Sequence, residues 1–194
     1  MGSVALHLEE NDDKIDTTLD MLLDTLFQST CTIAVQSSIA LCLSKLMKKK
    51  RAKTRIPDMI QQLLHVFLND IFLKFRRCGA YGLSPVTRGG GIATLKRDNI
   101  VSQVQEVIAG QKTECKEGAL LAIEQFSSRL GLLFKSYVIA LSPSLPKAIS
   151  DNTTSVRDTA VKAPGFIMSQ LSAHGVKYVM PAVLLTLSES EWRD

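Results

Sequence analysis

The strongest candidates for a binding site in this sequence form a basic run between positions 48 and 55. Its cations are Lys48, Lys49, Lys50, Arg51, Lys53 and Arg55, and the run contains no acid. Such a density of positive charge is suited to contacts with nucleic-acid phosphates, because these contacts require only positioned Lys and Arg. A solvated loop between helices and a nuclear-import signal are the two alternatives. The run has no aromatic residue, so we do not expect base-specific recognition by stacking.

Three further arginines, Arg76, Arg77 and Arg157, precede apolar stretches of helical spacing. Arginine at the start of a helix can cap and bridge neighbouring turns. The same three residues, aligned along one edge of a helical stack, would instead form part of a ridge that binds nucleic acid. Both interpretations stay open.

The other residue types that carry chemistry do not form a recognised site. The triple glycine at positions 89–91 lacks the Lys-Ser/Thr of a phosphate loop, and we interpret it as a helix terminus and linker. No G-x-S-x-G motif is present, and the histidines and cysteines lack metal-ligand spacing; they are His7, His65, His174, Cys31, Cys42, Cys78 and Cys115. We therefore expect no catalytic residue, no cofactor and no metal, and cysteines that are reduced and mostly buried.

Composition favours packed helices. Apolar residues make up 45% of the 194 residues, charged residues 22% and aromatic residues 6%. No apolar run reaches the length of a membrane span, and no signal peptide is recognisable. With reduced cysteines, these features predict a cytoplasmic or nuclear protein, and we favour the cytoplasm. The segment from Glu9 to Asp24 is strongly acidic and precedes the basic run, so charge is polarised within the first 55 residues.

A repeat of about 40 residues is the main structural signal. Polar or basic anchors at Gln36, Arg76, Lys116, Arg157 and Arg193 are separated by 40, 40, 41 and 36 residues. Small residues follow the first four anchors and would allow two helices to approach closely. Amphipathic stretches precede the anchors, which predicts a first helix and a second helix in each repeat. The fold class is therefore all-α, an α-solenoid of HEAT-type helical hairpins with about four complete repeats and a partial fifth.

We expect one solenoid over residues 1–194, with approximate repeats at 14–47, 57–89, 94–130, 133–172 and 174–194, the last being partial. Because the chain stops where the fifth second helix should begin, we expect either a piece of a longer solenoid or a truncated protein. Pro57 and Pro181 fall near helix starts, where proline is tolerated. Pro143 and Pro146 should bend or shorten a helix, and Pro164-Gly165 should kink or break one.

Several segments resemble one HEAT-repeat family, the translational activators of the general amino-acid-control kinase pathway, in their elongation-factor-three-like region. The densest similarity lies at Met168–Lys177, and the other matching segments are Val35–Ala40, Ala80–Leu83, Gly91–Ile92, Leu130–Val138 and Glu191–Arg193. The chain departs from that family where Cys78-Gly79 replaces a Gly-Ala pair, at Pro164-Gly165 and in the unusually basic run.

The resemblance implies a non-catalytic scaffold associated with ribosomes, ribosomal RNA and translation factors. Such proteins help the kinase of the initiation factor two alpha subunit respond to uncharged tRNA or stalled ribosomes. The segment that binds the kinase lies outside the matched region, so kinase regulation rests on resemblance alone. The alternatives are a HEAT adaptor in another pathway, such as nuclear transport or phosphatase scaffolding, and a truncated copy without independent function.

Overall fold

A computed structural model of the chain describes residues 8–28, 30–70, 72–110, 112–141 and 144–170, and the single residues 177, 180, 181 and 184. The regular elements in these ranges are helices, and no strand occurs among them. The all-α fold class is thus confirmed. Contacts between helices group the chain into two compact units, residues 1–98 and 99–194.

The first unit is built around one long helix, α5. Its helices are α1 (Lys14–Phe27), α2 (Ile33–Leu46), α3 (Lys50–Thr54), α4 (Ile56–Asn69), α5 (Leu73–Gly90) and α6 (Thr94–Arg97). Helix α5 packs against α4, α2 and α1. The apolar stripes expected for the first helices of two repeats are buried, with Leu19, Leu22, Leu23 and Leu26 on α1 and Met59, Ile60, Leu63, Leu64 and Phe67 on α4.

Two glycines allow α5 to approach α4 closely. A Cβ atom placed on Gly79 would lie 2.8 Å from Cβ of Phe67 and 3.0 Å from the carbonyl oxygen of Leu63. A Cβ on Gly82 would lie 2.5 Å from Cδ2 of Leu63. The small residues of the repeat therefore serve the close helix packing expected of them.

The second unit repeats the hairpin arrangement. Its described elements are α7 (Ile100–Ala109), α8 (Thr113–Leu130), a 3-10 turn (Gly131–Phe134), α9 (Lys135–Leu141), α10 (Leu145–Ile149) and α11 (Thr154–Gln170). Helix α8 packs against α7 and α11, and α10 packs against α11. The 3-10 turn places Phe134 beside Phe126, with ring centroids 5.5 Å apart.

The prolines have different effects. The region around Pro143 and Pro146 is divided into the 3-10 turn, α9 and the five-residue α10, which confirms the expected shortening; Pro143 itself lies outside the described residues. By contrast, α11 continues to Gln170, so of the kink or break expected at Pro164-Gly165, the break does not occur. Helix α5 likewise continues through Pro85. Packing of α11 against α8 and α10 overrides the local preference of proline and glycine to end a helix.

The predicted fifth repeat lies almost entirely outside the described residues, as does its anchor Arg193. Among the described helices, none has the length and apolar character required to cross a bilayer.

Candidate functional site

The basic run is folded against the first unit. Lys48 and Lys49 lie in the turn after α2, residues 50–54 form α3, and Arg55 separates α3 from α4. Ala52 is fully buried and holds this short helix on the core. As a consequence, the six cations have different exposures: Lys48, Lys50 and Lys53 are exposed, whereas Lys49, Arg51 and Arg55 are partly buried.

The partly buried cations pair with the acidic segment that precedes them in sequence. Nε of Arg51 lies 2.8 Å from Oδ2 of Asp16, and its NH1 group lies 2.5 Å from Oδ1 of Asp13. The NH2 group of Arg55 lies 2.7 Å from Oδ1 of Asp20. Hydrogen bonds to Asp16 and Asp20, respectively, raise the pKa of Arg51 and Arg55 above their ordinary values.

Acids that lie outside the run in sequence therefore neutralise part of it. Although no acid lies within the run, Glu10 lies 3.9 Å from Nζ of Lys49 and also accepts a hydrogen bond from the backbone N–H of Lys50. Three of the six candidate cations thus hold α3 against the N-terminal segment. The three exposed lysines, Lys48, Lys50 and Lys53, are the members of the run best placed for an external anion, and we call them the exposed lysines.

A groove of about 340 Å³ lies beside α3. Three cations line the groove, each from a different helix: Lys53 from α3, Arg88 from α5 and Arg97 from α6. The other lining residues are Ile56, Pro57, Gly89, Gly90 and Gly91. All three cations are exposed. The triple glycine forms the end of α5, with Gly91 at φ +88°, so its interpretation as a helix terminus is confirmed.

Arg76 and Arg157 occupy equivalent positions and make equivalent contacts. The NH1 group of Arg76 donates to the carbonyl of Asp70 at 2.7 Å, and that of Arg157 donates to the carbonyl of Asp151 at 2.8 Å. Arg76 is only 1% exposed. These contacts favour the capping role over a binding ridge, most strongly for Arg76, which is too deeply buried to reach a phosphate. Arg77 is partly buried.

The anchors share one position in the helices. Gln36, Arg76, Lys116 and Arg157 are each the fourth residue of the second helix of their repeat. Gln36 donates to Sγ of Cys78 at 3.2 Å, and Nζ of Lys116 lies 2.6 Å from Oδ2 of Asp151. The anchors therefore serve the packing of the hairpins.

Among the described residues, no group of three or more His, Cys, Asp or Glu side chains is arranged to hold a metal. Cys31, Cys42 and Cys78 are buried free thiols, and Cys115 is partly buried. Burial raises the pKa of Cys78 to about 11, which opposes formation of a reactive thiolate. His7 and His174 lie outside the described residues.

The sequence interpretation missed the contribution of Arg88 and Arg97 to this surface. They are 35 and 44 positions from Lys53, and only the fold brings the three to one groove. A basic residue directly before the triple glycine was the available signal.

Comparison with known proteins agrees with this architecture. The chain is 36% identical over 193 residues, or 99% of its length, to the protein ILITYHIA of Arabidopsis thaliana. It is 37% identical over its full length to the stalled ribosome sensor GCN1 of Homo sapiens and 35% identical to the eIF-2-alpha kinase activator GCN1 of Dictyostelium discoideum. The chain spans about 7% of the length of these relatives.

Solved structures with the same fold include a designed armadillo repeat protein in complex with the peptide (KR)4, with a TM-score of 0.51 and 14% identity over 100% of this chain and 84% of that one. An engineered protein reaches a TM-score of 0.53 at 17% identity, over 100% of this chain and 82% of that one. The family model of the EF3 N-terminal HEAT repeat matches residues 76–194, more than half of the sequence. Together with the helical hairpins, this match shows that the chain belongs to the EF3 N-terminal HEAT repeat family.

Proposed function

We propose that this chain is a non-catalytic HEAT-repeat scaffold that associates with ribosomes in the cytoplasm and serves translational control. The observation that carries the proposal is 37% identity over the full chain to proteins named stalled ribosome sensors. Since the chain spans about 7% of those relatives, the proposed role is that of one ribosome-contacting segment.

The exposed lysines give this association a physical basis. Ribosomal RNA presents a dense array of phosphates, and Lys48, Lys50 and Lys53 point positive charge to solvent on the first unit. Each phosphate contact releases condensed counterions, so binding of this kind is salt-dependent and indifferent to base sequence. Lys49, Arg51 and Arg55 support the surface indirectly, because their ion pairs hold α3 in place.

Regulation of the kinase of the initiation factor two alpha subunit is the finer part of the proposal. It rests on relatives named as activators of that kinase. In this role the chain would contribute contact with the ribosome or its factors, while a different segment would bind the kinase.

Sedimentation through sucrose tests the proposal. The purified 194-residue chain is mixed with ribosomes at moderate salt and centrifuged, with a parallel gradient that lacks ribosomes. We expect a saturable fraction of the chain to move with the ribosomes and none to reach those fractions alone. Identical profiles in both gradients would contradict ribosome association and favour an adaptor in another pathway or a copy without independent function.

A further inference from the structure

The groove beside α3 has the composition of an anion site. Lys53, Arg88 and Arg97 come from three different helices, and no acidic side chain of the described residues lines the groove. Asp98 lies next to it and binds Arg97, with Nε to Oδ1 at 3.1 Å and NH2 to Oδ2 at 2.9 Å. With Asp98 included, the formal charges of these four side chains sum to +2.

The pair with Asp98 positions Arg97. Two of the five N–H donors of a guanidinium are engaged by Asp98, and the remaining donors stay available to a second anion. The Arg97 side chain is 57% exposed, whereas that of Asp98 is 16% exposed, so Arg97 is the more accessible member of the pair. Holding a guanidinium in this way lowers the entropy lost when it binds a phosphate.

Because of its glycines, the end of α5 carries no side chain between the three cations of the groove. A Cβ atom on Gly90 would lie 2.8 Å from Oγ1 of Thr94 and 3.0 Å from Cγ2 of Ile56. Gly91 has φ +88°, a conformation that favours glycine, and a Cβ there would meet no atom of the described residues within 4 Å. Backbone, together with Ile56 and Pro57, therefore lines the groove between the three cations.

We infer that this groove seats the phosphate-ribose backbone of an RNA strand. Its volume of about 340 Å³ is at the lower end of small-ligand sites, and we expect it to hold one nucleotide unit. Two arginines with planar, forked donors suit phosphate oxygens better than lysines alone. The inference rests on the proposed ribosome association, and it adds the part of the surface that binds RNA and the chemical group that is bound.

The test follows glycine amides, because three of the eleven glycines line the groove. The full chain is labelled with ¹⁵N-glycine and titrated with a 5′-phosphorylated uridine dinucleotide. We expect saturable shifts of the Gly89, Gly90 and Gly91 resonances, with those of Gly110 and Gly165 unchanged. Substitutions Lys53→Gln, Arg88→Gln and Arg97→Gln should together weaken the apparent affinity about tenfold or more.

A matched variant separates the groove from general positive charge. Lys112→Gln, Lys162→Gln and Lys177→Gln remove the same charge from exposed positions of the second unit, and should leave the shifts within about twofold of the unsubstituted chain. Three results would contradict RNA binding in the groove: no shifts at all, shifts at Gly110 and Gly165 as large as those at Gly89–Gly91, or an equal loss of affinity in both variants. A further contradicting result is that an oligoglutamate peptide shifts these resonances and the dinucleotide does not. The occupant of the groove would then be an acidic protein segment.

The two proposals fail in different ways. Ribosome co-sedimentation with unshifted glycine resonances would retain the proposed function and remove the groove. Shifts confined to Gly89–Gly91 without ribosome binding would retain an RNA-binding groove and remove ribosome association.

Discussion

At the scale of single residues, the anchors show how one repeat position is stabilised by different chemistry. Arg76 and Arg157 bind the carbonyl of an aspartate six residues earlier. Lys116 occupies the same helix position but binds the Asp151 side chain, from the next repeat of the same unit. Asp151 thus joins two repeats, since its carbonyl binds Arg157 and its carboxylate binds Lys116.

Asp151 predicts a measurable pH dependence. Its side chain is 8% exposed, and the hydrogen bond from Lys116, with that from the Thr153 backbone, lowers its pKa below the ordinary value of an aspartate. The charged form of Asp151 is thus favoured by folding. Its contribution to the free energy of unfolding is present above pH 4 and is lost as the pH falls through the folded-state pKa. We expect Asp151→Asn to lower the free energy of unfolding by about 1–3 kcal/mol at pH 7 and by less at pH 3.

Urea unfolding at both pH values checks this expectation, with Asp158→Asn, an exposed position of α11, as the control. Equal losses for Asp151→Asn at pH 7 and pH 3 would show that the carboxylate charge does not stabilise the fold.

Two glycines within helices should respond in opposite directions to the same substitution. Alanine is favoured over glycine in a helix by up to about 1 kcal/mol. At Gly165 a Cβ would meet no atom of the described part of the chain within 4 Å, so Gly165→Ala should raise the free energy of unfolding by up to that amount. At Gly79 it would meet Phe67 Cβ and the Leu63 carbonyl, which are tied to the backbone.

We therefore expect Gly79→Ala to lower the free energy of unfolding by about 1–3 kcal/mol, because α4 and α5 must separate. Urea unfolding measures both variants. The same sign of change at Gly79 and Gly165 would contradict the close packing of α5 on α4.

At the scale of elements, ion pairs join the basic run to the acidic segment that precedes it. Arg51 and Arg55 of the basic run meet Asp13, Asp16 and Asp20, so two segments of opposite charge neutralise each other across the hairpin. The arginine side chains are 35% and 32% exposed, and pairs of this exposure contribute modestly.

Neutralising both arginines should show this contribution. We expect Arg51→Gln with Arg55→Gln to lower the free energy of unfolding at low salt, and by less in high salt, because salt screens exposed pairs. Unfolding in urea at two NaCl concentrations measures the effect. A loss that does not change with salt would indicate packing by the arginine stems instead of charge.

The sequence pattern predicted the helical hairpins because apolar stripes and small residues recur near the first four anchors. It did not predict the pairing of the acidic and basic segments, although both were visible, because contacts such as Arg51 with Asp16 depend on how α3 folds back. The break expected at Pro164 failed for a similar reason, since tertiary packing overrode local preference. The groove depends on three helices, and its sequence signal was limited to Arg88, the basic residue directly before the triple glycine.

At the scale of the whole molecule, the chain belongs to the EF3 N-terminal HEAT repeat family, and the proposed ribosome association rests on its 37% identity to a protein named a stalled ribosome sensor. In the basic run of the first unit, the exposed lysines differ from the three cations whose ion pairs stabilise the fold. Ribosome binding and stability should therefore respond to different substitutions within the same basic run.

The measurement that tests this account most directly is ribosome affinity as a function of salt for the unsubstituted chain and two charge-reversed variants. One variant carries Lys48→Glu, Lys50→Glu and Lys53→Glu, and the matched control carries Lys112→Glu, Lys162→Glu and Lys177→Glu. We predict that the first variant binds about tenfold or more weakly, with a dependence of log affinity on log salt shallower by about 2, while the control stays close to the unsubstituted chain and both keep their helical circular dichroism. Equal affinity and equal salt dependence in all three proteins would contradict docking through the exposed lysines.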